Sequence, residues 1–275
     1  MIHPYTHLED FSEDIISKAQ NGLRMTNRNL ADQAGIDLAQ VKSLKAGAVE
    51  PEALQSIANV LQLDGARLLV SARKSWLPAP QAIQGLSQFV SEFHSMTVNA
   101  YLLEAPTGEA ILFDTGVDPA PILAHLHEKQ LNLSAIFLTH GHPDHVAVLE
   151  PILQQAGPCP VYAHPTESIP NTEPFEWDQP LTAGPFHLQT ISTPGHTPGG
   201  TSFLLKNLPS PLAVVGDALF AGSVGGCAAD YSRALDSIRN NLLTLPSETV
   251  LCPGHGPLTT TGEENLHNPF FPKTE

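Results

Sequence analysis

The chain has 275 residues, 41% of them hydrophobic, enough for one large domain or for a domain with a small appendage. No apolar run approaches the roughly 18–20 residues that cross a bilayer, and Met1–Tyr5 lack the charged and apolar regions of a signal peptide, so a cytoplasmic protein with no membrane partner is expected. The net charge is −15, with eight Lys/Arg against nine Asp/Glu in residues 1–75 and five against 19 in the remainder, a balance that repels nucleic acid and anionic lipid at long range.

Residues 9–73 read as helix throughout. Apolar residues recur at helical spacing in Ile15, Ile16, Ala19 and Leu23, then in Leu30 and Ala34, then in Leu38, Val41 and Leu44. Thr26 and Asp37 suit N-caps, Pro51 suits a first helical turn, and Gly35, Gly47 and Gly65 punctuate the breaks. About five short helices are expected. The stretches Asn29–Asp37, Val41–Leu44, Pro51 and Ile57–Leu61 resemble the Cro/repressor-type helix-turn-helix over roughly residues 11–72. In that family the second helix of the motif enters the major groove. Here that helix spans about Asp37–Ala46 and offers only Gln40, Lys42, Ser43 and Lys45 as polar contacts. Because the segment is not basic, a packing or dimerising role is favoured over DNA binding, and a homodimer through these helices is expected.

Pro78 and Pro80 end the helical run. Strand-like runs follow at Asn99–Glu104, Ala110–Phe113, Ala135–Leu138, Pro160–Ala163, Phe186–Ile191, Thr201–Leu205, Leu212–Val215 and Thr249–Leu251, with helices at Ala120–Lys129, Val148–Gln155 and Tyr231–Leu243. This alternation predicts a layered fold of strands and helices. Cys159, Cys227 and Cys252 are too few and too widely spaced for a disulfide framework or a zinc knuckle.

The run Thr139-His140-Gly141-His142-Pro143-Asp144-His145 follows the apolar strand Ala135–Leu138. Carboxyl ends of strands are where α/β proteins place chemistry. A turn helped by Gly141 and Pro143 directs His140 and His142 to one ion and Asp144 and His145 to its neighbour. Imidazole with carboxylate suits zinc, iron or manganese rather than calcium. His196, Asp217 and His255 each end another apolar run beside Gly or Pro. A lone histidine of this kind is a turn or capping residue; four such sites in one chain point to metal binding.

In the order Asp114-Thr115-Gly116, the His140–His145 run, His196, Asp217 and His255, residues 80–275 resemble the metallo-β-lactamase superfamily. The resemblance implies an α+β, four-layer αβ/βα sandwich, preceded by the small all-α helix-turn-helix-like domain, with residues 1–75 and 76–275 as the two domains. It implies one metal on His140, His142 and His196, another on Asp144, His145 and His255, Asp217 between them, and a supporting role for Asp114. Two divalent ions are expected, zinc first, with iron or manganese as the other choices. Gly216–Gly225 and the tail Leu251–Asn265 resemble glyoxalase II-type hydroxyacylglutathione hydrolases. That implies hydrolysis of a small-molecule thioester or ester by a metal-bridging hydroxide, with Asp144 and Asp217 as catalytic carboxylates positioning metals and hydroxide. Gly226–Tyr231 departs from the Arg-Thr-Asp stretch common there, and with five Lys/Arg after residue 75 no cationic clamp for glutathione is evident.

Two other functions fit less of the chain. A persulfide dioxygenase of the same fold uses one iron on two histidines and an aspartate, leaving the second ligand set unexplained. A DNA-binding regulator with a metal-sensing domain conflicts with the charge balance. Cys227 reads as a small loop residue rather than a redox centre and Cys252 as core. His164 reads as a capping residue, and His125 and His127 as solvent-facing.

Overall fold

A computed structural model describes residues 1–94 and 96–272. Five helices come first: α1 (Ser12–Gly22), α2 (Asn27–Ala34), α3 (Leu38–Leu44), α4 (Pro51–Leu61) and α5 (Gly65–Ala72). Thr26 caps α2, its hydroxyl accepting from the Asn29 N–H at 3.1 Å. Asp37 is the N-cap of α3, Pro51 opens α4, and Gly35 ends α2 in the left-handed conformation.

Two six-stranded sheets follow. The first joins β1 (Leu86–Phe93), β2 (Met96–Glu104), β3 (Glu109–Phe113), β4 (Asn132–Phe137), β5 (Val161–Ala163) and β6 (Glu173–Pro174) in sequence order. The second contains β7 (Pro180–Ala183), β8 (Phe186–Ser192), β9 (Thr201–Leu205) and β10 (Leu212–Gly216). After the hairpin β11 (Leu219–Phe220) and β12 (Ser223–Val224), β13 (Val250–Pro253) and β14 (Thr259–Thr260) complete it, in the order β14-β13-β10-β9-β8-β7. The remaining helices are α6 (Ala120–Glu128), α7 (Pro143–Val146), α8 (Leu149–Ala156), α9 (Tyr231–Asn241) and α10 (Thr261–His267). Every strand and helix expected after residue 75 is present, with ends shifted by at most three residues.

Side-chain alternation with period two distributes each strand between two cores. Ile111, Phe113, Ala135 and Phe137 of the first sheet meet Leu188, Phe203, Leu212 and Val214 of the second in the central core. Their neighbours Ala110, Leu112, Ile136 and Leu138 face outward onto Ile122 and Leu126 of α6 and Ile152 of α8. Ala213, Val215 and Leu251 face the opposite way, into a cluster that takes in Ala234, Ile238 and Leu242 and runs on through Ile15, Leu30, Leu54 and Leu68 of the N-terminal helices. Two sheets between two helical layers make the α+β sandwich. No helix among the described residues is long and apolar enough to cross a membrane.

β3, β4 and β5 are parallel in the first sheet, and β10 and β13 in the second. Residues following β4, β10 and β13 meet at one rim of the sandwich, where those of the first sheet touch those of the second.

Candidate metal centre

All seven residues singled out as ligands gather at that rim. The loop after β4 carries His140 and His142, and α7, opened by Pro143, turns Asp144 and His145 inward. The β8–β9 loop brings His196, and the ends of β10 and β13 bring Asp217 and His255. Six are buried or nearly so; His142 is exposed at the mouth.

Asp217 lies at the centre. Its Oδ1 is 3.3 Å from His145 Nε2, and its Oδ2 is 3.4 Å from His196 Nε2 and 3.3 Å from His255 Nε2. Asp144 Oδ2 lies 3.4 Å from His255 Nε2 and 3.6 Å from His145 Nε2. His196 Nε2 and His142 Nδ1 approach to 2.9 Å, and the His140 ring stands 4.7 Å and 5.0 Å from theirs. Two sets of donor atoms result, each within 4.8 Å: His140, His142 and His196 on one side, Asp144, His145 and His255 on the other.

The far nitrogens of four imidazoles are engaged, which fixes the face each ring presents inward. His145 Nδ1 contacts Asp114 Oδ2 at 2.9 Å, and His140 Nδ1 contacts Thr139 Oγ1 at 3.0 Å. His196 Nδ1 donates to the Gly226 carbonyl at 2.7 Å, and His255 Nδ1 to the Thr97 carbonyl at 2.6 Å. Asp114 is also close to His140 and His145. Both its oxygens, however, are occupied by the N–H and hydroxyl of Thr139, each at 2.8 Å, as well as by His145. Its contacts thus run to the residues that carry the donor sets and tie His145 to the Thr139 loop, and it holds a left-handed φ of 53° to do so.

Three buried atoms facing the centre, His140 Nε2, His145 Nε2 and Asp217 Oδ1, make no hydrogen bond of good geometry, the last two having only each other at 3.3 Å. Such orphans cost roughly 1–3 kcal/mol each. They are the atom types that a cation satisfies. Burial opposes protonation of His145, yet the Asp217 and Asp114 carboxylates raise its pKa to about 10. Burial likewise opposes protonation of His255, while Asp144 and Asp217 raise it to about 11. Burial raises the Asp217 carboxyl, but His145 and His255 outweigh it and hold the group well below its ordinary range. The carboxylates thus demand positive charge at this spot, which protons on two imidazoles or a metal ion would supply.

The histidines read as peripheral are also placed. His164 is buried and caps a short 3₁₀ turn, its Nδ1 accepting from the Thr166 N–H at 3.3 Å. His127 is exposed, but His125 is half-buried and reaches Glu104 Oε2 at 3.2 Å, a partner on β2 that sequence spacing could not reveal. Cys227 and Cys252 are buried free thiols. Burial pushes Cys227 up to about 11, which leaves little thiolate for redox chemistry. Sequence reasoning missed Asn99, fully buried on β2, whose side-chain amide donates to the carbonyls of Pro253 and Gly256 on either side of His255, each at 2.9 Å. It also missed Glu167, which contacts both loops bearing the first set of imidazoles.

A family model described as the metallo-beta-lactamase superfamily matches residues 96–255. The chain is 35% identical over 197 residues to the probable metallo-hydrolase YqgX of Bacillus subtilis, covering 63% of this chain and 92% of that protein. It is 30% identical over 198 residues to the hydroxyacylglutathione hydrolase GloC of Haemophilus influenzae, with the same shares of each chain. Among solved structures it is similar to TTHA1623 in a di-iron-bound form, at a TM-score of 0.55 and 34% identity, covering 66% of this chain and all of that one.

Proposed function

Since the chain belongs to the metallo-beta-lactamase superfamily, we propose that it is a dinuclear metal-dependent hydrolase of a small thioester or ester. The observation that carries this reading is the convergence of three orphaned buried atoms, His140 Nε2, His145 Nε2 and Asp217 Oδ1, between two three-residue donor sets. Two complete sets are more than a single-iron oxygenase requires. The di-iron form of TTHA1623 supports a two-metal site, and the donor set accepts zinc, iron or manganese. The name of the relative GloC supports a thioester as substrate.

His140, His142 and His196 would hold one ion, Asp144, His145 and His255 the other, with Asp217 between them. Two divalent ions, when bound, would acidify a shared water from a pKa of 15.7 toward roughly 7 and polarise the substrate carbonyl. The chain's own residues set the geometry. Asp114 and Thr139 fix the His140 and His145 rings, the Gly226 and Thr97 carbonyls fix those of His196 and His255, and Asp144 and Asp217 supply the fixed negative charge. A thiolate leaving group, with a pKa of about 8.5, departs without a dedicated acid, consistent with a site whose titratable groups are candidate ligands or, like Asp114, are bonded to them.

Metal content per chain, paired with turnover of S-lactoylglutathione and a panel of other thioesters and lactones, tests the reading. Two ions with thioester hydrolysis are expected. Asp217→Asn should lower the metal content and cut turnover by at least 100-fold while the fold survives. A single iron with oxygen consumption on glutathione persulfide would replace hydrolysis with oxygenation. For the N-terminal helices we propose packing, with dimerisation as a further role, rather than DNA recognition. Lys45 is committed to Gln20 and Gln40 to Glu50, which leaves only Lys42 and Ser43 of the four polar contacts. Salt-dependent affinity for duplex DNA would overturn this.

A further inference from the structure

Glu167 lies outside both donor sets, on a 3₁₀ turn (Pro165–Glu167) after β5. Its two carboxylate oxygens are divided between two loops. Oε2 accepts the Gly141 N–H at 2.7 Å, and Oε1 accepts the Gly199 N–H at 2.7 Å. Gly141 stands between His140 and His142 after β4 of the first sheet. Gly199 stands three residues beyond His196, just before β9 of the second. One side chain therefore spans the join between the sheets and grips both loops that supply the first set of imidazoles.

Neither glycine has a positive φ, so backbone conformation does not call for glycine at either position. Space does. A Cβ on Gly199 would lie 2.6 Å from Glu167 Oε1, and one on Gly141 would lie 3.3 Å from both the Glu167 carbonyl and Oε2. The loops are stripped of side chains where the carboxylate docks.

The base of the grip is itself held. The Glu167 N–H donates to the His164 carbonyl at 2.9 Å, and the His164 ring stacks on Trp177 at 4.1 Å with an interplanar angle of 11°. Trp177 Nε1 in turn donates to Thr201 Oγ1 at 2.9 Å, at the start of β9. Glu167 forms no ion pair among the described residues, so both oxygens are given over to the loops.

We infer that Glu167 is a positioning residue for the first metal site: it sets the distance between the His140–His142 loop and the His196 loop, and with it the affinity of that site alone. The inference rests on the reading of His140, His142 and His196 as metal ligands. The second site draws on α7 and the ends of β10 and β13, which Glu167 does not touch, so its affinity should not respond. Partners that orient ligands from outside the coordination sphere typically control metal affinity by 10- to 100-fold.

Zinc titration of the metal-free full-length chain tests this, with one site examined at a time. In a His255→Ala background the first site remains, and adding Glu167→Ala should weaken zinc binding about 10- to 100-fold. In a His142→Ala background the same addition should change nothing. Glu167→Gln keeps one acceptor oxygen and should fall between wild type and alanine in the His255→Ala background. Thermal unfolding of each metal-free variant separates this effect from general loss of fold. Equal zinc affinity with and without Glu167→Ala in the His255→Ala background would overturn the inference, as would an equal loss at both sites. Failure of the metal reading itself would show differently: the wild-type chain would bind no zinc, and the role of Glu167 would fall with it.

Discussion

Glu264 illustrates what burial does to a single group outside the two donor sets. Its carboxyl is fully buried in α10 and accepts from the Gly222 N–H, the Thr259 hydroxyl and the Asn268 amide. Desolvation outweighs those donors and raises its pKa from 4.5 to about 7. The folded state therefore binds this proton more tightly than the unfolded chain does. Its contribution to stability is complete below pH 4.5 and is lost as pH rises through 7, a difference of about 3 kcal/mol. Chemical denaturation of wild type and Glu264→Gln at pH 5 and pH 8 should show the wild type losing stability relative to the variant across that interval. Parallel pH profiles would show that the donors keep the group ionised throughout.

At the scale of the elements, β2 and the end of β13 are joined by side chains as well as by main chain. Asn99 donates its N–H to the Gly254 carbonyl at 2.8 Å and its amide to Pro253 and Gly256, and its Oδ1 accepts from the Tyr5 hydroxyl at 2.8 Å. Asn99→Ala leaves the Gly256 carbonyl without this donor and the Pro253 carbonyl with the Tyr101 hydroxyl alone, and should cost roughly 1–3 kcal/mol of stability. It should also loosen the loop that carries His255, read out as weaker zinc binding in a His142→Ala background. Unchanged stability and affinity would mean that the backbone ladder holds the loop unaided. Of the elements, β1 was the least legible. Its apolar residues, Leu86, Phe89, Val90 and Phe93, have the i, i+3, i+4, i+7 spacing of a helix face. Antiparallel pairing with β2 along its whole length makes it a strand. The edge strands β6, β7 and β14, of two to four residues, are too short to carry a pattern at all.

For the molecule as a whole, the N-terminal helices complete the outer layer over the second sheet. Arg67 of α5 is buried and donates to the carbonyls of Asn265, Asn268 and Phe271 around the end of α10, at 2.8–3.0 Å. The Asp64 N–H donates to the Pro269 carbonyl at 2.8 Å. Lys18 of α1 pairs with Asp10, donates to the Val224 carbonyl at 2.8 Å and lies over the Phe220 ring. Arg67→Ala should lower stability by on the order of 3 kcal/mol, since it removes a charged donor from buried acceptors. The measurement is thermal unfolding at fixed pH. A loss below about 0.5 kcal/mol, the scale of a surface substitution, would show that the tail is held without the Arg67 donors.

The sequence by itself determined which seven polar residues end apolar runs, and the layered arrangement of strands and helices. The seven candidate ligands sit in short turns rich in Gly and Pro directly after apolar runs, and both features are local: a run of alternating burial specifies a strand, and the residue that ends it inherits the rim. Only the tertiary structure decided which far-off groups orient those ligands. Glu167 reaches Gly141 and Gly199 across 26 and 32 residues, and His255 finds the Thr97 carbonyl across 158. No periodicity links such positions. They meet because two sheets, each buried on both faces, close against one another in a single register.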